Sequence, residues 1–204
     1  MADGPAEVVV LGVDPGLTRC GIGIVVGPSG RPSVRDHRCV RTTPDTPLEH
    51  RLLLVHDGII AAIEEHRPTA VAVERVLFSN NVRTAMATGQ SAGVALLAAA
   101  RSGVPVTSYS PTEIKLTVAG SGSAAKDAVG RLVAAQLGLG AVPEPADVAD
   151  ALAVALTHLA RSRMAAAVAG TPAASALAEA HTHASKAARG GWEAVLGDRL
   201  EGHR

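Results

Sequence analysis

The near absence of aromatic side chains restricts the fold of this chain more than any other feature. Its 204 residues include only Phe78, Tyr109 and Trp192 as aromatics. The core must then be filled by Val, Leu, Ile and Ala, so helices and sheet have to pack closely. The same scarcity excludes a platform of several rings on which the bases of a single-stranded nucleic acid could stack.

The spacing of apolar residues predicts an α/β fold. Runs rich in β-branched residues predict strands, and apolar residues at helical spacing predict helices. The predicted strands are Val8–Val13, Cys20–Val26, Ser33–Arg41, Ala70–Glu74 and Val104–Tyr109, and the predicted helices are Leu48–His66, Val82–Arg101, Thr112–Val118, Ala124–Leu137 and Ala146–Met164. Hairpin-linked strands followed by alternating strands and helices predict a mixed five-stranded sheet with helices on both faces. The third strand is the more polar and is expected at an edge.

The length predicts one domain with an appendage. We expect a domain over residues 1–164 and an Ala-rich C-terminal tail over residues 165–204, weakly helical or disordered. The two cysteines, Cys20 and Cys39, form no Cys-x-x-Cys pair, which excludes a thiolate zinc site and predicts reduced core thiols. The N-terminus has no signal-peptide pattern, so a cytoplasmic location is expected.

Four carboxylates stand at informative places. Asp14 ends the first strand, Glu74 ends the fourth, and Asp147 and Asp150 lie three residues apart at the start of an otherwise apolar helix. Each has an ordinary alternative explanation, as a turn residue before Pro15, as a charge where a strand leaves the core, or as acids that complement a helix dipole.

Taken together, the four acids predict a metal site. Ligand sites in open α/β sheets lie at the carboxyl ends of strands, and acids gathered there need cations to balance them. Oxygen ligands without sulfur suit Mg²⁺ or Mn²⁺. Two such ions about 3.5–4 Å apart clamp the attacking and leaving oxygens of a phosphodiester.

Four motifs in register carry a resemblance to a known family. They are LGVDPG from Leu11, AVERV from Ala72, GSGSAAK from Gly120 and ADVADALA from Ala146. Over about residues 8–163 the chain resembles the RuvC family of bacterial crossover-junction endodeoxyribonucleases, in its actinobacterial form. The resemblance implies a ribonuclease H-like nuclease domain in which two Mg²⁺ ions, with Mn²⁺ as the alternative, are held by the catalytic residues Asp14, Glu74, Asp147 and Asp150.

The resemblance also implies partners. It implies a homodimer that binds a four-way (Holliday) junction, nicks two strands of like polarity and works with a branch-migration complex of RuvA and RuvB. The helix Val82–Arg101 carries small residues that would let two copies of the helix approach closely, namely Ala85, Gly89, Ala92 and Gly93. We expect this helix at the dimer interface.

A formal net charge of zero argues against a nucleic-acid partner, but the distribution of charge answers this objection. From Arg75 to Arg131 six basic residues face two acidic ones, a net charge of +4. Lys115 and Lys126 occupy positions where the family has DNA-contacting basic residues, and Arg83 is a further candidate. Lys126 follows a Gly-Ser loop at a helix start, where backbone amides favour phosphate.

Three further residues have two interpretations each. The family places an aromatic residue three positions after Glu74, where this chain has Leu77, followed by Phe78. Either Leu77 separates bases as a wedge or Phe78 stacks on one; we favour Phe78, although a core position for its ring stays open. His158, two turns beyond Asp150, is either a satisfied helix histidine or an accessory group for proton transfer or metal binding.

Three other functions compete with junction cleavage. An actin-like ATPase would need a second facing domain and would leave Asp147 and Asp150 without a role. A non-catalytic junction-binding module would not need all four acids. A ribonuclease H-like nuclease acting on structured RNA would lack the dimer helix and the Lys126 loop.

Overall fold

The computed structural model describes residues 7–27, 31–76 and 81–169, and the account that follows is confined to them. The chain divides into two compact units, Met1–Arg161 and Ser162–Arg204. The first unit contains the sheet and the helices packed on it. Of the second unit, residues 162–169 are described, and the greater part of the predicted tail lies outside the described residues. The predicted domain boundary after residue 164 stays a prediction.

The described residues form five strands and five helices, in the order that the sequence predicts. They are β1 Val8–Asp14, β2 Arg19–Gly27, β3 Ser33–Arg41, α1 Leu48–His66, β4 Ala70–Glu74, α2 Val82–Arg101, β5 Val106–Tyr109, α3 Pro111–Ala119, α4 Lys126–Leu137 and α5 Ala146–Val168. The bounds of β3, α1, β4 and α2 coincide with the predicted ones. The prediction for β5 was two residues too long, because Pro105 has no N–H for a ladder; its carbonyl accepts from the Val71 amide at 2.9 Å.

The helices on the C-terminal side differ from the prediction only at their ends. Helix α3 gains one residue at each end, and its N-cap Ser110 forms a capping box with Glu113. Helix α4 begins at Lys126, two residues later than predicted, with Ala125 as an N-cap that makes no side-chain bond. Helix α5 runs four residues beyond Met164, to Val168.

The sheet has the strand order β3-β2-β1-β4-β5, which places β3 at an edge as predicted. Strands β1 and β2 pair antiparallel, as do β2 and β3. Strands β1 and β4 pair parallel, as do β4 and β5. The carboxyl ends of β1 and β4 therefore lie side by side, with Asp14 and Glu74 as their last residues.

Each face of the sheet carries its own apolar core, because successive side chains of a strand point to opposite faces. Helices α1 and α2 cover the face that contains Leu11, Ile22, Val55, Ile59, Val71 and Ala95. Helices α3, α4 and α5 cover the face that contains Val10, Val25, Ala72, Tyr109, Val133 and Leu152. The sequence-based prediction of helices on both faces is confirmed.

Helix α5 lies unusually close to the sheet because glycines remove the side chains between them. Gly12 of β1 and Gly23 of β2 are cross-strand partners on the face that α5 covers. A Cβ on Gly12 would overlap the carbonyl oxygen of Ala151, and one on Gly21 would overlap that of Asp147. The first turn of α5 is thereby held against the end of β1, where Asp14 stands.

The two cysteines are free thiols, as predicted. In the β2–β3 pairing Cys20 is opposite Val40, and Cys39 is opposite Gly21. Cys20 belongs to the core under α1 and α2, whereas Cys39 packs against the other core. The thiols therefore point to opposite faces of the sheet. Among the described helices, none combines the length and apolarity needed to cross a bilayer.

The glycine contact leads to a prediction about stability. We expect Gly21→Ala to lower the free energy of unfolding by about 1–3 kcal/mol, since the new methyl group meets a backbone oxygen that cannot turn away. Gly140→Ala is the matched control, because open space surrounds Gly140, and its effect should stay within about 0.5 kcal/mol. Urea denaturation measures both. Equal effects of the two substitutions would show that α5 does not depend on this contact.

Candidate active site

The four predicted carboxylates converge at one end of the sheet. Asp14 and Glu74 end neighbouring parallel strands, whose preceding residues Val13 and Val73 are paired. The close contact of α5 with β1 and β2 brings Asp147 and Asp150 to the same place. All four side chains are half-buried rather than fully exposed. The position of the acids therefore follows from strand ends and one helix start.

Burial and crowding both raise the pKa values of Asp14 and Glu74. Burial raises the pKa of Asp14 to about 8, and repulsion from Glu74, Asp150 and Asp147 adds to the effect. Burial also raises the pKa of Glu74, with repulsion from Asp150, while the two nearby lysines oppose the rise. Without a further cation the site therefore retains a proton near neutral pH.

Two of the four acids form an ion pair with a basic side chain. The Lys126 ammonium donates a hydrogen bond to Asp150 Oδ2 at 2.6 Å, which raises the pKa of Lys126. Arg19 Nε lies 2.9 Å from Asp147 Oδ2 as an ion pair. Side chains from β2 and α4 therefore already supply part of the positive charge that acids gathered at one place need.

The donor set fits divalent metal ions. Asp147 Oδ2 is buried and has no hydrogen-bond partner among the described residues, since the nearby Arg19 balances its charge without the geometry of a hydrogen bond. Asp14 and Glu74 have no ion pair among the described residues. A cluster of hard oxygen donors with mutual repulsion and an unsatisfied oxygen is a site that Mg²⁺ or Mn²⁺ would stabilise.

Another cluster of ligand atoms lies away from these acids. The ligand atoms of Asp36, Glu65 and His66 lie within 4.8 Å of one another. Among the described residues, no other group of three metal-ligating side chains is as close together. Arg38 donates to both carboxylates, at 2.8 Å to Glu65, and lies 3.3 Å from His66. Because a guanidinium already balances this cluster, we interpret it as a structural link between β3 and α1.

Basic residues line the rim of the acid cluster. Lys115 and Lys126 line a cavity of about 150 Å³ together with Glu74 and Asp150. Arg131 and Lys126 line a second cavity, of about 270 Å³, that also reaches Asp150. Arg83 lies exposed in the first turn of α2. Arg101, at the other end of that helix, is remote from the site, so the predicted net +4 segment is not one continuous patch.

His158, Leu77 and Phe78 are the remaining predicted site residues. His158 accepts or donates a hydrogen bond with the Tyr109 hydroxyl at 3.0 Å, and burial lowers the pKa of His158. This contact supports the interpretation of a satisfied helix histidine, and an accessory role stays a prediction. Leu77 and Phe78 lie outside the described residues.

Sequence reasoning missed Arg19. It is the first residue of β2, one residue before the predicted start of that strand, and it belongs to none of the four motifs, so no local pattern marks it. Arg19 meets Asp147 because the β1–β2 hairpin and the close packing of α5 on the sheet bring the two residues together. Both of these are tertiary features.

The raised pKa of Asp14 predicts a pH-dependent stability. Between 3.8 and about 8 the folded protein holds a proton on Asp14 that the unfolded chain releases, so metal-free stability should fall as pH rises through this window. Asp14→Asn should remove part of that fall. At the upper end of the window, Asp14→Asn should stabilise the metal-free protein. Its melting temperature should rise by about 2–4 °C for each kcal/mol by which the free energy of unfolding increases.

Thermal melts in EDTA and in Mg²⁺ measure this effect. Mg²⁺ should raise the melting temperature of the wild-type protein more than that of Asp14→Asn, since the ion requires the deprotonated carboxylate. The exposed Asp45 supplies the control Asp45→Asn, which should behave as wild type. A wild-type melting temperature that rises with pH in EDTA would contradict the assignment.

Comparisons with known proteins agree on one family. Residues 10–158 match the family described as crossover junction endodeoxyribonuclease RuvC. A protein of that name from Salinispora arenicola is 52% identical over 163 residues, which are 78% of this chain and 93% of that protein. One from Streptomyces coelicolor is 53% identical over 154 residues, covering 75% of this chain and 82% of its own length.

Solved structures lead to the same fold. The structure described as T. thermophilus RuvC in complex with Holliday junction substrate has 39% identity and a TM-score of 0.74, covering 77% of this chain and 96% of that chain. The yeast mitochondrial Holliday junction resolvase Ydc2 shares the fold at 13% identity, with a TM-score of 0.54. The predicted family and fold are confirmed: this chain belongs to the RuvC family of crossover junction endodeoxyribonucleases, with a ribonuclease H-like fold.

Proposed function

We propose that this protein resolves Holliday junctions by metal-dependent hydrolysis of phosphodiester bonds in DNA. The observation that carries the proposal is the convergence of four carboxylates from β1, β4 and α5 at one end of the sheet. The four-motif match to a family of junction nucleases supports it. The Thermus relative in complex with a Holliday junction substrate supports a four-way junction as the substrate.

The four acids would hold two divalent ions, with Mg²⁺ as our first choice and Mn²⁺ as the alternative. Such ions supply positive charge to the attacking and leaving oxygens of the phosphodiester. The chain contributes their ligands, which are Asp14, Glu74, Asp147 and Asp150. Their half-buried positions on strand ends and on a packed helix hold the ligands with little freedom, which favours a defined reaction geometry.

The lysines would hold the phosphates that flank the bond to be cut. Lys115 and Lys126 border the acid-lined cavity, and the Lys126 side chain is 66% exposed, so its ammonium is accessible to DNA as well as to Asp150. Arg83 would extend this contact from α2. Phosphate contacts of this kind supply affinity that depends on salt but not on sequence.

Asp14→Asn tests the proposed reaction. Cutting of a synthetic four-way junction in Mg²⁺ should fall by several orders of magnitude, because Asn lacks the charge that the ions need. Junction binding should survive, because the phosphate contacts are spread over other residues. Gel assays of cleavage and of binding separate the two effects, with Asp45→Asn as the control.

Assays on a set of other substrates separate the competing functions. Linear duplex DNA, structured RNA and ATP should be poor substrates for the wild-type protein beside the junction. Preferential cutting of structured RNA would favour the ribonuclease alternative, and junction binding without any cutting would favour a non-catalytic module.

The second part of the proposal is a homodimer formed through α2. One exposed stripe of α2 is apolar along the length of the helix, and its members recur at helical spacing: Val82, Met86, Gly89, Gly93, Leu97 and Ala100. Open space surrounds Gly89 and Gly93, whereas Ala85 and Ala92 are half-buried within the chain. The contact would therefore run along the glycines rather than along all four predicted small residues. A two-fold junction and paired nicks also call for a symmetric dimer.

Gly89→Leu tests the interface. The larger side chain should hold the two helices apart, so sedimentation at micromolar concentration should show more monomer, and paired nicking should fall before single nicking does. Gly140→Leu, at another open glycine, should leave the dimer intact. A wild-type protein that sediments only as a monomer would contradict the proposal. RuvA and RuvB remain predicted partners on the family resemblance.

A further inference from the structure

Arg19 occupies the edge of the acid cluster in an unusual contact. It is the first residue of β2, and two residues later Gly21 pairs with Asp14. Its Nε lies 2.9 Å from Asp147 Oδ2. The Arg19 side chain is 54% exposed, whereas that of Asp147 is 19% exposed. The guanidinium thus approaches a mostly buried carboxylate from the solvent side.

Arg19 balances the charge of Asp147 but forms no hydrogen bond with it. Asp147 Oδ2 is buried and, within the part of the chain that the structure describes, has no hydrogen-bond partner, although Arg19 is close. The neighbouring pair is different, because Lys126 donates a true hydrogen bond to Asp150. A half-exposed ion pair that lacks hydrogen-bond geometry contributes little stability, so a stronger cation can replace the guanidinium at low cost.

The backbone before Arg19 is fixed, in contrast to its side chain. Thr42 donates its amide to Thr18 O at 3.0 Å and its hydroxyl to Leu17 O at 2.7 Å. Arg51 donates to the Thr42 hydroxyl at 2.8 Å and to the Thr18 hydroxyl at 3.0 Å. With its main chain held in this way, Arg19 can move only its side chain, and that side chain stays at the rim of the site.

We propose that Arg19 is a positioning residue with two alternative anionic partners, Asp147 in the metal-free protein and a DNA phosphate once Asp147 serves as a metal ligand. The inference rests on the proposed function, because it takes the four acids as the metal site. A guanidinium suits the second partner, since its planar fork matches two phosphate oxygens.

The exchange of partners would couple metal binding to DNA binding. In the free protein Arg19 competes with the metal for Asp147 and so lowers metal affinity. In the complex the released guanidinium adds a phosphate contact, so metal raises junction affinity and, by linkage, the junction raises metal affinity. The site would then fill with metal chiefly on its substrate.

Calorimetric titration with Mg²⁺ in the absence of DNA tests the first half. Arg19→Gln should bind Mg²⁺ about two- to fivefold more tightly than wild type, because a competing charge is gone. The matched control is Arg41→Gln: Arg41 pairs with Arg19 across the β2–β3 ladder and is exposed, and its Mg²⁺ affinity should stay within about twofold of wild type.

Junction binding tests the second half. The probe is a synthetic four-way junction with Ca²⁺ or EDTA, on substrate verified to remain uncut. Ca²⁺ should raise the junction affinity of the wild-type protein and of Arg41→Gln, and this gain should shrink by about two- to fivefold in Arg19→Gln. Arg19→Lys should retain part of the gain, because it keeps the charge but loses the fork, and it carries the test if the Gln variant folds poorly.

The outcomes distinguish this inference from the proposed function. An unchanged Mg²⁺ affinity in Arg19→Gln, a full Ca²⁺-linked gain in that variant, or the same behaviour in Arg41→Gln would overturn the role of Arg19. In each of these cases Asp14→Asn and Asp147→Asn should still weaken Mg²⁺ binding, which would leave the metal site standing. If those two variants bind Mg²⁺ as wild type does, the metal site itself is wrong and the inference falls with it.

Discussion

The close approach of α5 to β1 and β2 is the contact on which the rest of the structure depends. Paired glycines on the two strands allow the backbone of the helix to lie where side chains would otherwise stand. Residues 151–157 of the helix are buried, and most of them are Ala, Val or Leu. The scarcity of aromatic residues and this tight helix–sheet contact are two aspects of one packing solution, since a core of small side chains must be thin.

This packing also holds the four acids in an energetically unfavourable proximity. Asp14 and Glu74 leave the sheet where α5 presents Asp147 and Asp150, and burial, with repulsion among the acids as a smaller cause, raises the pKa values of Asp14 and Glu74. Natural folds tolerate such local conflicts at functional sites when the surrounding structure is strong enough to hold them. Here the two apolar cores on either side of the sheet provide that support.

The cations around the acids differ in how firmly they are attached. Lys126 makes a short hydrogen bond from the first residue of α4, whereas Arg19 reaches Asp147 without one. Both side chains are more than half exposed, so both can exchange a carboxylate for an external anion. The same groups balance part of the acidic charge in the free protein and, in our proposal, would offer positive charge to a phosphate. In the proposed nuclease site this arrangement would link the state of the acids to the presence of DNA.

The sequence by itself determined the elements and the family, because both depend on local information. Apolar spacing placed β3, α1, β4 and α2 at their observed bounds, and each of the four acids was marked by its position at the end of a strand or the start of a helix. Only the tertiary structure decided which charges meet. Arg19 and Asp147 are far apart in the chain and come together through a hairpin register and a glycine contact. Arg101, counted with the basic segment, is carried away from the site by the length of α2. Electrostatic interactions act through space, and distances through space are set by packing between elements, which no local pattern encodes.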